Sequence, residues 1–115
     1  MPLIRVQLSV AMDDETRSHV MAKLSSTVAG TLGKPESYVM VVLEPDTAML
    51  MGGDGAPAAL VEVRSVGTIS GGHASKLSGA ISAILAEAGI DASRVYSNFT
   101  GVPGAMWGMG DSTFG

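Results

Sequence analysis

One hundred and fifteen residues amount to one domain, 1–115, with a single modest core. Seven Lys and Arg against eleven Asp and Glu leave a formal charge of -4, so no broad basic surface exists to offset a phosphate backbone, and nucleic acid is excluded as the expected partner. With no cysteine, disulfides, thiolate nucleophiles and Cys-bound zinc are excluded together.

Residues 3–10 alternate, Ile4, Val6, Leu8 and Val10 against Arg5, Gln7 and Ser9, and this period of two predicts a strand. Asp13, Asp14 and Glu15 then put negative charge where a helix begins, with Asp13 as the cap. Val20, Leu24, Val28 and Leu32 carry that helix to Gly33, beyond which stand Lys34 and Pro35. Tyr38 to Leu43 is β-rich and apolar on both sides, predicting a strand buried on both faces. Residues 45–57, with Met49, Leu50, Met51, Gly52 and Gly53, read as a loop.

A second cycle starts about 57 residues after the first. Ala59 to Val66 is a strand, Gly67 to Gly72 a tight connection, and His73, Leu77, Ile81, Ile84 and Leu85 mark a helix ending near Gly89. Arg94 to Thr100 is a further strand, followed by a glycine-rich tail. The expected architecture is α/β (α+β): two β-α-β units forming a four-stranded sheet with both helices on one face. If the central strands are apolar on both sides, the sheet's other face needs covering. The charged fraction of 16% points the same way, to closed association of several copies. No apolar run reaches the 18 or so residues of a membrane helix, and no signal peptide is recognisable, so the expectation is a cytosolic protein with no membrane partner.

Several residues bear on chemistry. Pro2, once Met1 is removed, exposes a secondary amine; burial or a nearby lysine would keep it neutral and basic near pH 7. The same proline equally suits the start of an edge strand. Lys34 is either a cation favoured at a helix C-terminus or a carboxylate anchor. Tyr96 and Asn98 share one face of the last strand, to meet a polar substrate or each other. Ser70-Gly71-Gly72 offers N–H groups at a helix start, without the spacing of a nucleotide-binding loop. His19 and His73 make no metal set, and the scattered methionines read as core filler or pocket lining.

At these residues the sequence resembles the macrophage migration inhibitory factor family of the tautomerase superfamily. The resemblance runs through Met1-Pro2, Gly33-Lys34-Pro35 with Tyr38, Pro45-Asp46, Met51-Gly52-Gly53, Ser65-Val66-Gly67-Thr68-Ile69 with Gly71-Gly72, Arg94-Val95-Tyr96 with Asn98, and Ser112-Thr113-Phe114. It implies a homotrimer with active sites between subunits. It also implies a cofactor-independent keto-enol tautomerase acting on phenylpyruvate, 4-hydroxyphenylpyruvate or dopachrome-type analogues. Pro2 would be the general base, and Lys34 with the Val66 N–H would hold the substrate carboxylate. Tyr96 and Asn98 would enter from the neighbouring subunit, and Tyr38, Met106 and Phe114 would complete an apolar wall. A cytokine-like, protein-binding trimer with incidental turnover is the alternative. Two departures stand out. Ala58 and Val61 occupy the positions of the animal members' Cys-x-x-Cys pair, and Met109 stands where many members have tryptophan, with Trp107 two residues earlier.

Overall fold

The computed structural model describes residues 1–115. Strands β1 (Pro2–Leu8), β2 (Met40–Glu44), β3 (Ala59–Val66) and β4 (Val95–Val102) and helices α1 (Asp14–Leu32) and α2 (Gly71–Ala86) follow the expected order. A two-residue hairpin, β5 (Gly108–Met109) and β6 (Ser112–Thr113), is added in the tail. The four-stranded sheet runs β2-β1-β3-β4. Each half pairs its strands in parallel, β1 with β2 and β3 with β4, while β1 and β3 meet antiparallel at the centre.

Alternation in β1 and β3 decides which face is buried. Ile4, Val6 and Leu8 join Val61 and Val63 beneath Val20, Leu24 and Val28 of α1 and Leu77, Ile81 and Leu85 of α2. Both helices therefore cover one face, as the two-fold β-α-β pattern predicts. Asp13 accepts the Thr16 N–H at 2.8 Å, a hydrogen bond that holds its carboxyl below the usual carboxylate range. Gly33 closes α1 in the left-handed conformation (φ 64°), which needs no Cβ, and the Lys34 N–H returns to the Ala29 carbonyl at 3.0 Å. Ser70 caps α2 by accepting the His73 N–H at 3.1 Å, with Gly71 and Gly72 forming the first turn rather than a loop before it. Replacing that hydroxyl (Ser70→Ala) is expected to cost about 1 kcal/mol, measurable by urea unfolding.

Four expectations are corrected. The first strand ends at Leu8: the Ser9 N–H still donates in register to the Ala58 carbonyl, but the Val10 carbonyl already takes the Asp46 N–H from the loop after the second strand. The segment read as a doubly buried strand from Tyr38 starts two residues later. Pro35 leads into a 3₁₀ turn, Glu36–Tyr38, that takes Tyr38 out of the ladder. Strand β2 is also an edge strand: Val41 and Leu43 pack on the core, whereas Met40 on the other face is 62% exposed. The central strands are not apolar on both sides either. Their uncovered face carries Arg5, Gln7, Glu62 and Arg64, with Arg5 and Gln7 both donating to the Glu44 carboxylate at 2.9 and 3.1 Å. The open face is thus a charged surface with apolar edges.

Candidate active site

The start of β1 lies at one corner of the sheet, where the first residue, the turn after α1 and the tail hairpin converge. Together they enclose a cleft of about 500 Å³. Pro2 forms its floor, with its ring fully buried, while Tyr38 and Met40 supply one wall and Trp107 and Met109 the other. The tail folds back because the Phe114 N–H donates to the carbonyls of Gly104 and Trp107, at 3.0 and 3.2 Å.

The electrostatics of this corner are unusual for a chain terminus. Burial lowers the pKa of the Met1 amine from its ordinary value, and the Lys34 ammonium nearby lowers it further by repelling the protonated form. Lys34 is held there by the helix end described above. The Met1 carbonyl, in turn, accepts the Val66 N–H at 3.2 Å. Pro2 and Tyr38 thus line the cleft, the Val66 N–H meets the Met1 carbonyl beside it, and the Lys34 ammonium acts on the Met1 amine.

Tyr96 and Asn98 lie elsewhere in the chain. Pro2 is level with Ser65 and, across β3, with Gly101. Tyr96 is five residues further along, about 17 Å at 3.3–3.4 Å per residue. It is 67% exposed and lines a separate hollow of about 490 Å³ with Met49, Leu50, Leu60 and Arg94. Arg94 ties the adjacent loop to the foot of β4, donating to the carbonyls of Asp54, Ala56 and Pro57 at 2.9–3.0 Å. Met106 sits behind Trp107 on the open-face side, and Phe114 packs over Gly104; neither lines the Pro2 cleft. Trp107, Met109 and Met40 do line it, although the sequence marks none of them as a site residue. The displaced tryptophan and the Met109 departure were the available signals, and only the hairpin brings them to the cleft. No cluster of three or more His, Cys, Asp or Glu side chains is placed to hold a metal ion, and no helix is long and apolar enough to cross a membrane.

The family model described as macrophage migration inhibitory factor (MIF) matches residues 1–115. The chain belongs to the macrophage migration inhibitory factor family. It is 37% identical over 94 residues to the MIF homolog of Trichuris trichiura, spanning 78% of this chain and 80% of that protein. The crystal structure of the MIF homologue from Prochlorococcus marinus superposes with a TM-score of 0.92 at 38% identity, covering 98% of this chain and 99% of that one. MIF of Toxoplasma gondii gives a TM-score of 0.93 at 33% identity, covering 97% and 99%. The fold is the MIF/tautomerase fold, and membership of the family supports a tautomerase-type or cytokine-like function.

Proposed function

We propose that the chain, freed of Met1, is a cofactor-independent keto-enol tautomerase for phenylpyruvate-like aromatic α-keto acids, with Pro2 as its general base. The observation that carries this is the chain-terminal amine. Burial and Lys34 lower its pKa, and it sits in a cleft with an aromatic wall on each side. Removing Met1 moves the terminus one residue inward, onto a buried ring, where desolvation favours the neutral amine still more. It also frees the Val66 N–H, so that Lys34 and this donor can grip the substrate carboxylate. The amine then takes the proton from the carbon next to the carbonyl. The enolate oxygen takes one from water, and the ammonium returns its own to solvent.

Tyr96 and Asn98 cannot reach Pro2 of their own chain, so in this reading they come from a neighbouring copy and the active unit is a homotrimer. Dopachrome-type analogues belong to the same proposed substrate class. The test is phenylpyruvate turnover against pH. The acidic limb of kcat/KM, which reports the free amine, is expected below the ordinary α-amine value. Replacing Lys34 by Gln removes a repelling cation and so moves that limb to higher pH, besides weakening substrate binding. It should not reach the ordinary value, because burial is the larger cause. A limb that stays put in Lys34→Gln removes the lysine from the site.

The relatives' name, migration inhibitory factor, favours a second reading, a protein-binding trimer whose turnover is incidental. Binding to a partner that survives loss of the Pro2 amine would select it.

A further inference from the structure

We infer that the Pro2 cleft continues past Trp107 to a second anion-binding position at Arg64, so that its preferred substrates carry a second carboxylate besides the one beside the carbonyl. The inference rests on the tautomerase reading for its chemistry and on the following geometry for its site. Two hollows of about 260 Å³ each adjoin the cleft on the open face of the sheet, and Leu3 lines all three spaces. Trp107 and Gly108 are shared by the cleft and the nearer hollow, and Arg64 lines both hollows. Register fixes the distance. Leu3 follows Pro2 directly and stands opposite Arg64 across the antiparallel ladder, where facing residues are about 5 Å apart. The Arg64 side chain starting there lines the hollow that shares Leu3, Trp107 and Gly108 with the cleft.

Arg64 is also uncommitted. It makes no hydrogen bond within the chain, its one ionic neighbour, Glu62, stands off at 3.8 Å, and its side chain is 56% exposed. Arg5 on the same face differs, because Glu44 holds it at 2.9 Å. Glu62 is shared as well, since it also acts on Arg5. A free guanidinium fork offers a carboxylate two parallel hydrogen bonds, stronger than those between neutral groups. Lys34 at one end, an apolar wall of Tyr38 and Trp107 between, and Arg64 at the other describe a receptor for a flat dianion.

The experiment compares Met1-processed protein on phenylpyruvate and on phenylpyruvate carrying a ring carboxylate. Binding is followed separately through the emission of Trp107, the single tryptophan. The kcat/KM ratio of dicarboxylate to monocarboxylate is expected to fall about tenfold or more in Arg64→Gln, to recover in part in Arg64→Lys, and to stay within about twofold in Arg5→Gln. It should also shrink as salt rises. A ratio unmoved by Arg64→Gln, or moved equally by Arg5→Gln, overturns the second position and leaves the tautomerase reading intact. No turnover of either compound, with Trp107 reporting an Arg64-dependent affinity for the dicarboxylate, keeps the second position and removes the tautomerase. No turnover and no Arg64-dependent binding removes both.

Discussion

Protein that retains Met1 is expected to tautomerise phenylpyruvate at least about a hundredfold more slowly, in kcat/KM, than the same protein with Met1 removed. General base catalysis contributes on the order of 10²–10⁴. Retention withdraws it, because the Pro2 nitrogen is then an amide whose lone pair is delocalised into the carbonyl. The Met1 amine cannot substitute, being a residue's length away. A second loss adds to the first: the Met1 carbonyl occupies the Val66 N–H at 3.2 Å, one of the two groups proposed to take the substrate carboxylate. Intact mass identifies the two forms, and initial rates measured side by side give the ratio. Comparable rates would show that the base lies elsewhere. Pro2→Gly, processed in the same way, keeps an amine but loses the buried ring that fixes it, and should fall between the two.

Gly101→Ala is expected to destabilise the protein by about 2–3 kcal/mol and to lower turnover as well. A Cβ on Gly101 would overlap the Gly67 carbonyl oxygen and stand 3.2 Å from Thr68 Cα, both backbone atoms without a rotamer to yield. The connection from β3 to α2 crosses β4 at this point, secured by the Gly67 N–H to the Val102 carbonyl at 2.9 Å. Relieving the clash moves Gly67 and so displaces the neighbouring Val66 N–H from the Pro2 cleft. Gly79→Ala supplies the contrast. It lies in α2 with nothing within 4 Å of the added carbon, and it should stabilise by about 0.5–1 kcal/mol through helix propensity alone. Urea midpoints moving in opposite directions meet both expectations; a neutral Gly101→Ala contradicts the close approach.

The parts legible in the sequence are those governed by local rules. Asp13 and Gly33 bracket α1 because a carboxylate acceptor and a left-handed residue suit helix ends, and both stand where the chain needs them. The alternation in β1 and β3 names the buried face residue by residue. Strand β2 misleads because its apolar residues suggest a central position, whereas position in a sheet is decided by pairing partners that composition does not encode. The tail hairpin has two-residue strands and a positive-φ Gly110, too short for any periodicity. Its placement depends on the Phe114 N–H reaching back to Gly104 and Trp107. The family resemblance marks the positions of Pro2, Lys34 and Tyr38 and flags Met109 with Trp107 only as a departure, and the hairpin is what brings those two to the cleft.

The two halves of the sheet are near copies, yet they are chemically unequal. Strand β3 opens at Ala59 much as β1 opens at Pro2, and each opening borders a hollow next to the edge strand of its own half. Only one of those strand openings stands beside the end of the polymer. The nitrogen of Ala59 is sealed in a peptide link and has no basicity to offer, so internal duplication doubles the scaffold without doubling the base. In the proposed homotrimer the second opening would act as a lender, since Tyr96 there stands 67% exposed.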